Sequence, residues 1–82
     1  MTNSHVIIDA DWEDYVKRLL QVELTKKGMK YPDLAKKLSE IGIDEKPENI
    51  NNKINRGSFR AVFLIQCLKA IGCKSLPIEL EM

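Results

Sequence analysis

Eighty-two residues, 44% hydrophobic and 30% charged, have the balance of one folded domain, too apolar for a disordered chain and too short for two cores. The formal net charge of +1 excludes a strongly cationic or anionic protein. The charges are nonetheless segregated: Asp9, Asp11, Glu13 and Asp14 make an acidic start, whereas Lys17 to Lys37 holds seven basic and two acidic residues, and Lys46 to Arg60 four basic and one acidic.

Met1 to His5 are polar and carry no leader pattern, and the longest apolar run, Ala61 to Ile65, is far too short to span a bilayer. A cytoplasmic location, with no membrane contact, is the expectation. Val6-Ile7-Ile8 has the β-branched character of a short strand, and Leu76 to Leu80 alternates as a counterpart, with Pro77 suited to an edge. These two segments would pair with each other or with another copy.

The first helix is expected from Asp11, a good N-cap, with Glu13 and Asp14 in the first turn where the dipole favours negative charge. Trp12, Tyr15, Val16, Leu19, Leu20 and Leu24 follow the spacing of one buried stripe, and Gly28 supplies the stop. Glu23 falls inside that stripe. Two readings stay open for it: a carboxylate held by Lys53, Arg56, Arg60 or the amides of a helix end, or a rim residue reaching solvent.

A second helix begins near Tyr31-Pro32, where a first-turn proline is tolerated, and buries Tyr31, Leu34, Ala35, Leu38 and Ile41 while Lys36 and Lys37 face out. Gly42 ends it, and residues 43–46 connect to a third helix that Pro47 opens and Gly57 closes. Ile50 and Ile54 share its inner face. Asn49, Asn52, Asn55 and Arg56 then point outward, with Asn51 and Lys53 on the flanks. Amides and guanidinium in such a row suit base edges and phosphate oxygens; the alternative is an ordinary solvated face. Ser58 is a suitable N-cap for a fourth helix over Phe59 to Ile71, apolar at nearly every angle and therefore central, with surplus surface for a subunit interface.

Cys67 and Cys73 match neither a zinc spacing nor a redox CxxC, and His5 is the only histidine, so no metal site or cofactor is expected. With no nucleophile–base pair and no Gly-rich phosphate loop, catalysis is not expected either.

Lys27 to Ala35, Asn52 to Gly57 and Ala70-Ile71-Gly72 together resemble the lambda-repressor-like (Cro/C1-type) helix-turn-helix domains, in which a Gly-apolar-Thr/Ser-x-x-x-Leu-Ala run opens the scaffold helix and an Ile-x-x-Gly run closes the recognition helix. The pattern from Trp12 through Leu19-Leu20, Glu23-Leu24, Leu34-Ala35, Asn52-Lys53-Ile54, Arg56-Gly57 and Phe63 to Ile71-Gly72 looks more closely like a small bacterial domain family of unknown function. Two positions depart from the helix-turn-helix pattern. Lys30 replaces the usual Thr or Ser, and Ser39 stands where the turn glycine is expected, that glycine arriving only at Gly42.

These readings converge on an all-α, compact four-helix, helix-turn-helix-like domain over residues 1–82, with short terminal β-strands as candidate additions. The expected function is a non-enzymatic module of transcription regulation that presents helix 47–56 to double-stranded DNA. Asn49, Asn52, Asn55 and Arg56 would contact bases or backbone, and Lys30, Lys36, Lys37, Lys53 and Arg60 would hold phosphates. A homodimer through helix 59–71 and the terminal strands is a candidate assembly. The alternative is a protein-interaction or dimerisation module on the same scaffold without DNA binding, which the near-neutral charge and the lengthened turn favour.

Overall fold

The computed structural model describes residues 9–76 and residue 78. Among them the chain forms four helices and no strand: α1 (Asp9–Lys26), α2 (Tyr31–Glu40), α3 (Pro47–Arg56) and α4 (Ala61–Ala70). The strand expected at residues 6–8 lies outside the described residues, as does most of the one expected at 76–80.

Each helix contributes an i, i+4 pair of buried side chains to one core: Leu20 and Leu24, Leu34 and Leu38, Ile50 and Ile54, Phe63 and Cys67. Two turns of α2, α3 and α4 are thereby enough to close the domain. α2 packs on α3 and α4, and α1 packs on the same two helices. Full burial of a leucine or isoleucine is worth about 1.5–3 kcal/mol, so these pairs dominate the stability.

The helix ends explain the short connectors. Past α1, α2 and α4 the backbone amides of Met29, Ile43 and Cys73 each donate to the carbonyl five residues back, those of Leu24, Leu38 and Leu68, at 2.9 Å. This Schellman closure satisfies carbonyls that have no helical donor and lays a side chain beyond the helix over one inside it. α3 ends differently. Gly57, at φ +70°, is buried, and a Cβ there would collide with the Glu13 carbonyl oxygen on α1. The glycine thus serves both the left-handed turn and the close approach of two helices.

Several expectations are corrected. α1 begins at Asp9, so Asp11 lies within its first turn and not at the cap. α4 begins at Ala61 because residues 58–60 run as a link, Arg60 being extended at φ −71°, ψ 151°, and Phe59 packs edge-on against Phe63 at 5.4 Å to set the approach of the chain. The surplus apolar surface expected on α4 is present, by contrast: Val62 and Ile65 are 53% and 57% exposed, so only one side of this helix is core. Ile41 follows the last residue of α2 and is exposed, and Trp12 likewise stands outside the core. Lys30 gives α2 no side-chain cap, but its amide donates to the Asp33 carboxylate at 2.9 Å, the reciprocal half of a capping box.

Candidate nucleic-acid interface

The two fully buried isoleucines, one turn apart, fix the rotation of α3 about its axis. Asn49, Asn52, Asn55 and Arg56 are consequently all exposed, as the sequence implies. Asn51 is exposed too, and its side-chain oxygen accepts from the Asn55 amide at 2.9 Å, leaving Asn49 and Asn52 as the amides without a described bond.

The last turn of α3 and the link that follows it place three cations on one cleft. Lys53, Arg56 and Arg60 line a cleft of about 380 Å³, with Phe59, Val62 and Phe63 on its apolar wall and Ser58 and Gln66 beside them. Lys53 is the most constrained of the three: its ammonium bonds Glu45 at 2.8 Å and lies 4.8 Å from the centre of the Phe63 ring. It is half-buried and already balanced. Arg56 also borders a smaller crevice, of about 160 Å³, shared with Asn55, Glu13, Asp14 and Lys17, so the acidic first turns of α1 stand beside the C-terminal end of α3.

The other expected cations are placed elsewhere. Lys30 lines a separate cleft of about 540 Å³ between α1 and α2, with Gln21, Leu24, Met29 and Tyr31 among its walls. Lys36 is exposed on α2, and Lys37 pairs with Glu40 at 3.6 Å; neither reaches the Arg56–Arg60 cleft. Glu45 is the residue that sequence reasoning missed. It sits in the connector eight residues before Lys53, across a helix start, where no i, i+4 pattern signals a pair.

Glu23 is buried, which settles its two readings, but its partners are not those expected. Lys26, on the same helix, donates at 3.3 Å, and the Cys73 thiol, held also by the Ser75 carbonyl at 3.0 Å, approaches at 3.6 Å. The C-terminal end of α4 is thereby tied to α1. Cys67 is fully buried; burial first, then the nearby Glu45 carboxylate, push its thiol up to about 12, with Lys53 opposing. It is an inert core side chain.

No group of three or more potential metal-ligating side chains is found among the described residues, and no described helix is long and apolar enough to cross a membrane. The molecule is therefore defined by its fold and one surface: a small all-helical domain that holds a polar helix face outward on a core of paired aliphatic residues. The chain belongs to the family described as a domain of unknown function (DUF6471), whose model matches residues 12–76. No curated protein and no solved structure matches it. The expected likeness to a family of unknown function is met, starting at the tryptophan where the pattern was read.

Proposed function

We propose that this domain is a non-enzymatic, double-stranded DNA-binding module of the lambda-repressor-like helix-turn-helix kind, with a role in transcription regulation. The observation that carries the reading is the setting of α3. Its amides and Arg56 stand exposed over a fully buried isoleucine pair, and Arg56 opens into a cleft shared with Arg60. On this reading Asn49, Asn52 and Arg56 meet base edges, Arg60 and Lys53 meet phosphates beside them, and Lys30, Lys36 and Lys37 extend the cationic surface along α2.

The test is fluorescence anisotropy with labelled mixed-sequence duplex DNA across a salt series. Micromolar-range affinity at low salt is expected, weakening with a slope of about −0.9 per phosphate-bound cation. Arg56→Glu with Arg60→Glu is expected to abolish binding while leaving the far-UV circular dichroism unchanged, since both side chains are exposed. Absence of binding by the unaltered protein at low salt refutes the reading.

One observation favours a second reading, a protein-interaction module: Val62 and Ile65 leave an apolar side of α4 uncovered. Ile65→Lys separates the two, because Ile65 is exposed on that side of α4 and lies outside the Arg56–Arg60 cleft.

A further inference from the structure

We propose that the outward side of α1 pairs with the same side of a second copy of this chain, the two helices running antiparallel, whether or not DNA is bound. Trp12, Tyr15, Leu19, Val22 and Lys26 succeed one another at intervals of three, four, three and four residues. That is the a/d spacing of a two-helix seam. None of the five belongs to the core. Trp12 is 43% and Val22 48% exposed, and Tyr15 and Leu19 are half-buried, so the seam runs beside the buried stripe of Leu20 and Leu24. A single exposed apolar residue needs no explanation, but a row at seam spacing on the longest helix does.

Charge identifies the occupant. α1 is acidic at its beginning, with Asp9, Asp11, Glu13 and Asp14, and basic at its end, with Lys26 followed by Lys27 and Lys30. Parallel copies would set like charges against like. Antiparallel copies set unlike charges together at both ends, and the resulting two-fold pair is closed. In antiparallel seams an a residue faces a d residue, so Trp12 lies opposite Val22 of the second copy and Tyr15 opposite Leu19.

At its C-terminal half the row borders open surface: Val22 and Lys26 line a groove of about 300 Å³ with Arg18, Gln21 and Thr25, so none of the described residues covers that part of α1. The exposed side of α4 lacks such self-complementarity: its charged residue is Lys69, with Arg60 at the cap and no acidic side chain on the helix. Two copies meeting there would oppose cations. An 18-residue helix is about 27 Å long, so the α1 contact is small and the association weak and concentration-dependent.

The experiment is sedimentation equilibrium of the full chain at low salt from roughly 10 µM to roughly 1 mM, a range that spans weak association. The mass is expected to rise from that of the monomer toward twice that value, and Val22→Glu to hold it at the monomer with unchanged circular dichroism. Asp11→Lys and Lys26→Glu are each expected to stay monomeric alone and to associate when mixed, because only the mixed pair has unlike charges at both ends. A monomer at every concentration overturns the proposal. So does a dimer that Val22→Glu leaves intact, which Val62→Glu would then assign to α4. Folded charge variants that fail to associate on mixing overturn the antiparallel arrangement.

Discussion

Replacing Gly57 by alanine isolates the contact that holds α3 against α1, provided the same change at Gly28 is measured beside it. The two glycines have nearly equal backbone angles, φ +70° and +67°. An L-residue in that conformation loses about 1–2 kcal/mol, of which the narrower unfolded ensemble of alanine returns about 0.4–1 kcal/mol. At Gly28 nothing lies within 4 Å of the added Cβ, so Gly28→Ala is expected to cost about 1 kcal/mol in all. At Gly57 the Cβ collides with the Glu13 carbonyl oxygen and lies 2.9 Å from its carbon and 3.1 Å from the Glu13 Cβ. Backbone atoms cannot rotate aside. α1 and α3 must separate, and overpacking of that kind adds about 1–3 kcal/mol. Gly57→Ala is therefore expected to cost about 2–4 kcal/mol, against a total stability of about 4–12 kcal/mol for a domain of this length. Urea unfolding followed by circular dichroism reads both variants. If they agree within about 0.5 kcal/mol, α1 and α3 are not in the close contact described, and the reasoning fails.

Four further predictions concern side chains. With its thiol pushed up to about 12, Cys67 exposes roughly a thousandfold less thiolate at neutral pH than a thiol at the ordinary value of 9.0. Under a thiol-specific reagent Cys73 should react first and Cys67 only on unfolding. The same shift makes the unfolded chain release this proton before the folded one. Stability should thus be unaffected below about pH 9 and fall from there toward about 12, by up to about 1.4 kcal/mol per pH unit from this group, which urea midpoints across that window will show. Glu23→Ala removes the acceptor for Lys26 and Cys73 and leaves a void, at an expected cost of about 1–3 kcal/mol, whereas Lys26→Ala should cost under about 1 kcal/mol because its ammonium is mostly in solvent. Equal losses in the two variants would place the stabilisation in the ion pair alone. On the DNA reading, Glu45→Gln frees Lys53 for a phosphate and should tighten duplex binding severalfold with a steeper salt slope; unaltered anisotropy would strike Lys53 from the contact set.

The bounds of α3 and the identity of its exposed row were legible because two isoleucines one turn apart leave a single way to bury the helix, and Pro47 and Gly57 mark its ends in sequence. The extent of α1 exposure was not. Trp12, Tyr15 and Leu19 share a broad arc with Leu20 and Leu24, and only the positions of the other helices decide which part of that arc is covered. The start of α4 was misplaced for a similar reason: Ser58 is a good cap locally, but Gly57 is pinned against Glu13, and the chain needs residues 58–60 to leave that contact before a helix can begin. Local propensity yielded to tertiary contact there.

The candidate site was legible as composition and illegible as balance. In sequence Lys53 and Arg56 read as DNA contacts or as partners of Glu23, yet one is bonded to Glu45 from the preceding connector and the other borders Glu13 and Asp14 from α1. Both carboxylate sources are remote in sequence or out of helical register, so no local pattern announces them. Their effect on the proposed function has a definite sign. A phosphate reaching Lys53 exchanges one anion for another, so its gain is a difference between two contacts and not a new attraction. On the DNA reading, sequence-independent affinity would be held down accordingly, while the neutral amides Asn49 and Asn52 would give up no such partner on meeting a base edge. A phosphate contact made in both modes cancels from the ratio of specific to mixed-sequence affinity, so the Lys53–Glu45 pair would weaken both and leave discrimination to Asn49, Asn52 and Arg56.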